Sequence, residues 1–344
     1  MKRSMDKIML SRDLGDLYFG QLNVRHQAFF DKMYGQHTRI RLRDLPHYIF
    51  WRDEEYKNPA ESLYYKYLRE SWEYYYPKDN TEKRRLAKIN EYKKLQKHIK
   101  KRGVKEPLTI VVAPDGAKII VSGNHRASIA YHLGLDAPYE ILDTRKYIQR
   151  VTSNDAEFYG TKNRGVPYQS IFYKDTELVE GRRRDVLKRF QKLDIENDIR
   201  GANVLDTGSN IAVNAMLAWH YGAKSVTAAE FSPVIGTSAL RLSTLFDANI
   251  NVLTQDLGKV VPKPGIYDTV FCFSLHAHVG NTANLEKNLI AFTGKVLYFE
   301  GHQNTKKSDY EHIFRHFRKV KSMGYNEDGV HSKKATRPLF RCEK

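Results

Sequence analysis

Cysteine is scarce in this chain: two in 344 residues, Cys272 and Cys342. Both stand in apolar, strand-like contexts, VFCFSL and PLFRCE, which suit inert buried thiols rather than a disulfide or a metal-binding pair. Long hydrophobic runs are missing as well. No stretch of about 18 apolar residues occurs, so no membrane span is expected. The basic start, MKRSMDKIML, has neither an apolar stretch nor a small-residue cleavage site, which argues against a secretory signal. Together these absences point to the cytoplasm.

What the chain has in excess is positive charge, a net +17 from 57 Lys+Arg against 40 Asp+Glu. Its distribution is uneven. Residues 1–150 hold 30 basic against 19 acidic side chains, residues 151–200 hold 10 against 9, and residues 201–305 hold 6 against 7. The segment from 306 to 344 holds 11 against 5. The near-neutral middle is flanked by basic elements, a pattern suited to an anionic substrate or partner approaching those flanks. A merely soluble basic surface is the alternative. The length is enough for two domains, each with its own core.

The N-terminal part is rich in aromatics and charge. RIRLRDLPHYIFW reads as a short strand and turn. PAESLYYKYLRESWEYYY, residues 59–76, reads as a helix whose Leu63, Tyr67 and Tyr74 share a face, with Tyr64, Leu68 and Trp72 beside it. Aromatics interleaved with Lys and Arg can stack on bases; such a face is more often core. Residues 81–101 form a basic amphipathic helix with Leu86, Ile89, Leu95 and Ile99 as its apolar stripe, Thr81 as N-cap and Gly103 as stop. Leu108–Val112 and Lys118–Val121 flank Pro114-Asp115-Gly116 as a hairpin. Gly123-Asn124-His125-Arg126 then opens a helix that closes at Gly134. Free N–H groups, the helix dipole and a guanidinium converge there, which suits an anion; a helix cap with an ion pair is the other reading.

Residues 104–145 resemble the ParB/sulfiredoxin-like superfamily, whose members carry a G-x-H-R box after such a hairpin. The resemblance implies nucleotide-phosphate binding at Gly123, Asn124, His125 and Arg126. Sulfiredoxin chemistry needs a cysteine in the box, and here there is none. Further on, Gly160, Gly165 and Pro167 mark turns. Arg182, Arg183 and Arg184 could clamp a carboxylate or phosphate, although a solvated face suits such a run better. Gly181–Leu193 is expected to be a helix.

The chain is organised around NVLDTGSNIAVNAMLAWHYGAKSVTAAEFSP, residues 203–233. Val204 and Leu205 suit a buried parallel strand ending on Asp206. Gly208 permits a turn, Asn214–Tyr221 a helix, and Gly222 stops it. Ser225–Ala229 makes a second strand, ending on Glu230. A glycine turn between strand and helix brings backbone N–H groups to a ligand, and an acid after the next strand suits a ribose. This stretch resembles motifs I and II of the Rossmann-like S-adenosylmethionine-dependent methyltransferases. It departs from D-x-G-x-G-x-G in having Asn210 and Ala212 at the second and third glycines. A dinucleotide's pyrophosphate would want glycine there, so the departure weighs against NAD more than against a methyl donor. The L-D-x-G-x-N pattern is also similar to tRNA wobble-uridine carboxymethyltransferases.

The α/β alternation continues through a helix at Thr237–Asp247 and a strand at Asn251–Thr254, with Asp256 and Leu257 beyond its end. The strand Tyr267–Ser274 and the strand Lys295–Glu300 follow. The tail supplies a helix (Ser308–Phe317) and two more strand candidates, Arg318–Ser322 and Pro338–Cys342. The expected fold is α/β, a seven-stranded Rossmann-like methyltransferase sheet with its last two strands antiparallel, preceded by a smaller α+β ParB/sulfiredoxin-like domain. The divisions expected are 1–150, a connecting region 151–200, and 201–344.

The resemblance implies S-adenosylmethionine as cofactor. It places the methionine end at Asp206, Gly208, Ser209 and Asn210, the ribose at Glu230 and Phe231, the adenine at Asp256 and Leu257, and the reacting end near Ser274. Histidines stand at the exits of two neighbouring strands: His276 and His278 after the fourth, His302 after the fifth. A neutral imidazole there can take a proton from the nucleophile, and His278 is the first choice for general base. Local packing would be the plain alternative. A metal site built from His276, His278, Glu300 and His302 is the lesser reading, because the H-x-H spacing comes without cysteine.

The function expected is methyl transfer to an anionic acceptor, a nucleic acid or a phosphorylated or acidic carbohydrate. The N-P-P-Y signature of amino-methylating DNA enzymes is missing. A bifunctional protein whose ParB-like box binds or turns over a nucleotide, and a non-catalytic binding protein, are the alternatives.

Overall fold

The computed structural model describes residues 7–35, 38–158, 166–183, 185–261, 265–327 and 336–344. Gly160, Gly165 and Arg184 therefore lie outside the described residues. Two compact units share the chain. One runs up to Tyr147 and includes Thr244–Asp247; the other comprises Ile148–Ser243 and Ala248–Lys344.

In the first unit, strands β1 (Lys7–Met9), β2 (Tyr18–Phe19), β3 (Leu108–Val112), β4 (Lys118–Ser122) and β5 (Ala137–Ile141) form one sheet in the order β1-β5-β3-β4-β2. The β3–β4 hairpin is antiparallel, and Gly116, at φ +89°, makes the turn that the Pro-Asp-Gly signal predicts. Helix starts follow the side chains that cap them. Asn23 accepts from the amides of Arg25 and His26, Ser62 from Tyr65, and Thr81 from Arg84.

One expectation here is corrected, and one pair of alternatives is decided. RIRLRDLPHYIFW is a 3₁₀ turn, Leu42–Asp44, followed by the helix Pro46–Arg52. Proline at N1 fixes φ where no amide partner is needed, so it starts this helix instead of ending a strand. The aromatic helix Leu63–Tyr75 turns Tyr64 and Tyr67 into the core, 0% and 6% exposed, where Tyr67 stacks on His26 at 4.6 Å. Those rings are core and offer no stacking platform for bases.

The second unit holds a small hairpin, β6 (Ile171–Tyr173) and β7 (Thr176–Val179), and seven longer strands. These are β8 (Asn203–Thr207), β9 (Ser225–Glu230), β10 (Ile250–Thr254), β11 (Tyr267–Phe273), β12 (Thr293–Glu300), β13 (Lys319–Glu327) and β14 (Thr336–Glu343). Their order is β10-β9-β8-β11-β12-β14-β13. β8 to β12 pair in parallel, and β14 runs against both of its neighbours, β12 and β13. This is the expected seven-stranded arrangement. Strand order reverses between β8 and β11, so a crevice opens beyond their carboxyl ends. Val204, Leu205, Val270, Phe271, Cys272, Leu297 and Phe299 are all buried, as parallel strands covered on both faces require.

Two helices are shorter than their sequence suggests. The segment 308–317 is a 3₁₀ turn, Lys307–Tyr310, running into Glu311–Phe314. The helix assigned from Gly181 begins only at Val186. Before it, Arg183 is extended and paired with the Gln169 segment: its amide donates to Tyr168 and its carbonyl accepts from Ser170. Gly181 approaches that segment so closely that a Cβ would sit 2.1 Å from the Gln169 carbonyl carbon. No helix among the described residues is long and apolar enough to cross a membrane.

Phe271 lies at the centre of the sheet, fully buried, with its ring 5.6 Å from Phe190 and 6.2 Å from Tyr298. Phe271→Ala should destabilise the second unit by about 3–5 kcal/mol, the cost of lost transfer energy plus a cavity. Denaturant unfolding followed by near-UV circular dichroism measures it.

Candidate active site

The turn after β8 is left-handed at three residues: Gly208 (φ +63°), Asn210 (+54°) and Ala212 (+62°). At Gly208 a Cβ would stand 2.5 Å from the Leu275 side chain, so glycine is required there. Asn210 and Ala212 occupy the positions where the fingerprint has glycine, and they hold glycine-like conformations at a cost of about 1–2 kcal/mol each. The turn keeps its shape without the glycines. Its amides are committed: Asn210 N–H donates to Glu230 Oε2 (2.9 Å) and Ser209 N–H to the Ala229 carbonyl (3.0 Å).

Beyond the strand ends lies a cavity of about 500 Å³, within the roughly 300–1,000 Å³ usual for small-molecule sites. Gly208, Asn210, Glu230 and Phe231 line one part of it, and Asp256, Leu257, Ser274 and His278 another. Phe231 is 62% exposed at its mouth. The remaining two residues expected to bind cofactor, Asp206 and Ser209, are each 1% exposed and stand behind this wall. Asp206 Oδ2 and Ser209 Oγ are buried with no hydrogen-bond partner. Burial pushes the Asp206 carboxyl up to about 7, against the pull of the Arg189 guanidinium. Glu230 Oε1 accepts from Ser232 N–H at 2.9 Å, and Asp256 Oδ1 accepts from Gly258 N–H at 2.9 Å.

The arginine run, for which a solvated face was the favoured expectation, instead turns inward at Arg183. Arg183 lines the cavity and is buried, not solvated. It donates to Glu300 Oε1 at 3.0 Å, to Asp185 at 2.9 Å and to Ser274 Oγ at 3.2 Å. Arg189, also buried, donates to Glu300 Oε2 (3.1 Å) and Asn214 Oδ1 (2.8 Å), with its guanidinium 4.2 Å above the Phe273 ring. Ser274 and Asn326 complete the shell, donating to Glu300 at 2.5 and 2.9 Å. Burial alone would raise the Glu300 carboxyl. The two guanidiniums and these hydrogen bonds hold it well below the usual carboxylate range. Tyr168 and Gln169 also join the wall. The available sequence signal was the arginine run closed by Asp185.

Of the three histidines, two come together. The rings of His278 and His302 are 5.7 Å apart, and His278 lines the cavity. His276 is held elsewhere, with Nε2 3.0 Å from Glu286 Oε1. Glu300 is fully engaged by its arginines, so the metal set built on it and the three histidines does not assemble. Burial pushes both thiols up to about 12, as inert cysteines require.

In the first unit, the Gly123–Arg126 box opens its helix as expected, with Gly123 at φ +96°. Its side chains are turned to local partners. Arg126 pairs with Glu106 at 2.6 Å and Asn124 donates to Gln21 at 2.8 Å. His125 meets the Tyr64 hydroxyl at 2.5 Å among His47 and Tyr92, and burial lowers it to about 4.

No protein-family model and no curated protein matches this sequence. Solved structures similar to it include magnesium protoporphyrin IX methyltransferase from Synechocystis PCC 6803 with bound SAH. That match has 16% identity over 46% of this chain and 81% of the other, with a TM-score of 0.40. The N-terminal domain of EvdMO1, in the presence of SAH and D-fucose, matches at 14% identity over 58% and 97% of the two chains, TM-score 0.42. WbdD matches at 16% identity over 51% and 44%, TM-score 0.42.

Removing the Glu300 charge should take the carboxylate away from buried Arg189 and leave Arg183 with Asp185 alone. Glu300→Gln is expected to cost about 3–5 kcal/mol. The pH profile of unfolding carries the signs. Glu300 stabilises above its ordinary value of 4.5 and loses that contribution as pH falls towards its depressed folded value. Asp206 acts oppositely, costing stability as pH rises from about 4 to about 7, so Asp206→Asn should remove that fall.

Proposed function

We propose that this chain is an S-adenosylmethionine-dependent methyltransferase with its donor in the cavity beyond β8–β11. The observation that carries it is Glu230: an acid ending the second strand, on the cavity wall, tied through the Asn210 amide to the Gly208 turn. Backbone amides donate to both Glu230 oxygens and fix the carboxylate on the cavity wall, where it suits the two ribose hydroxyls. Asp256 and Leu257 would take the adenine edge and face. The unpartnered Asp206 Oδ2 and Ser209 Oγ beneath the turn fit the amino-acid end of the donor. When bound, the donor supplies an electrophilic methyl carried on a sulfonium.

The chain's own part is to align the nucleophile and take its proton. A ring nitrogen of His278 is the acceptor we assign, and His302, facing it, would orient the imidazole or the substrate. His276, engaged with Glu286, is left out of this role. The methyl acceptor we infer is anionic, a nucleic acid or a phosphorylated or acidic carbohydrate, from the +11 carried by residues 1–150 (30 basic less 19 acidic). The Gly123–Arg126 box is not assigned a nucleotide, because Arg126 and His125 already have partners.

Titration calorimetry of the full chain with S-adenosylmethionine tests the donor site. Glu230→Ala should weaken binding by about 1–3 kcal/mol, the scale of a lost charged hydrogen-bond partner; unchanged affinity would overturn the ribose assignment. A screen of RNA, DNA and sugar-phosphate pools with labelled donor then supplies an acceptor. With it, His278→Ala should turn over about a hundredfold more slowly while donor affinity stays the same. Full activity in that variant would leave alignment alone to explain the rate.

A further inference from the structure

Outside the cavity, three side chains from separate elements meet. His276 sits in the 3₁₀ turn His276–His278 that follows β11, Glu286 in the helix Thr282–Phe292, and His312 in the helix Glu311–Phe314. His276 Nε2 lies 3.0 Å and His312 Nε2 2.8 Å from the same carboxylate oxygen, Glu286 Oε1. Their candidate ligand atoms all fall within 4.8 Å of one another. We propose that this trio is a binding site for a divalent transition-metal ion of the zinc class.

The donor set is two imidazole nitrogens and one carboxylate oxygen, a combination suited to such ions and poorly suited to calcium or magnesium. Metal–ligand bonds of about 2.0–2.1 Å at tetrahedral angles put neighbouring ligand atoms about 3.3 Å apart. Each imidazole would therefore move only a few tenths of an ångström from the carboxylate oxygen to admit an ion, with the two imidazole nitrogens already within 4.8 Å of each other. His276 is well held: its ring packs edge-on to Tyr310 at 5.5 Å and lies 6.4 Å from Phe299. Tyr310 is itself fixed, accepting from the His302 amide and donating to Thr305. The His276 and Glu286 side chains are 18% and 17% exposed, whereas His312 is 42% exposed. An ion can thus enter from the His312 side and keep a water in its fourth position.

Such an ion would tie the turn after β11 to two helices. His278, two residues beyond His276, is on the cavity wall. The metal would hold the base-bearing turn in place without touching the reacting atoms. The site stands on its own geometry and holds whatever the cavity binds.

The test uses the full chain, stripped with a chelator and titrated with Zn²⁺ by calorimetry and with Co²⁺ by visible absorption. One equivalent should bind, and Co²⁺ should give the strong visible band of a tetrahedral site. Glu286→Gln keeps the shape and an acceptor for the histidines, so a merely hydrogen-bonded trio would survive it; metal affinity should fall at least tenfold. His312→Ala removes a half-exposed ligand with little risk to folding and should do the same. Circular dichroism confirms that both variants are folded. Absence of saturable Zn²⁺ binding to the wild-type chain would overturn the proposal, as would unchanged affinity in either variant.

Discussion

A single carboxylate, Glu300, sits fully buried at the end of β12 between two equally buried arginines. An ion removed from water costs several kcal/mol unless its lone pairs are all met, and here every partner comes from a different part of the second unit. Arg183 belongs to the extended segment before the sheet, Arg189 to the helix Val186–Leu193, Ser274 to the end of β11 and Asn326 to β13. The cluster satisfies itself only when the sheet, its leading helix and its outermost strand are all in place. It therefore specifies one assembly, in which Arg183 and Ser274 close one side of the cavity.

Electrostatics near the crevice follow from that arrangement. Two guanidiniums lie close to the strand ends, and one carboxylate is held charged between them. Asp206, buried two strands away on β8, is pushed the other way by desolvation. Carboxyls on β8 and β12, with β11 between them, thus have opposite protonation tendencies. Environment assigns them: Glu300 has donors on both oxygens, while one Asp206 oxygen has none.

Much of the second unit was legible in the sequence because its parallel strands carry short apolar runs with a polar or acidic residue at or just past the end. Asp206, Glu230 and Ser274 fall at the strand ends, and Asp256 just past one, because a parallel sheet presents carboxyl ends to one crevice. The arginine network was not legible. A run of Arg reads as solvated, and nothing local announces that Glu300, over a hundred residues away, waits for it. The helix expected from Gly181 failed for a related reason, since Arg183 pairs as a strand with Gln169. In the first unit, RIRLRDLPHYIFW reads as a strand and turn, whereas Pro46 starts a helix there. The aromatic face of Leu63–Tyr75 is core because His26, His47 and Phe19 arrive from elsewhere. Among the histidines, spacing grouped three that geometry divides: His276 joins Glu286 and His312, partners that become neighbours only once two helices pack beside β11.

The edge of the large sheet carries a consequence for how the chain folds as it is made. β13 pairs only with β14, and β14 lies between it and β12. β13 leaves the ribosome first, yet its place in the sheet does not exist until the later strand has been inserted. For that interval β12 ends in an open row of amides and carbonyls, and β13 has no ladder to join. An open edge of this kind is the feature that invites pairing with another chain. The interval of exposure to misassembly therefore falls after the cavity-forming strands have emerged and before β14 does.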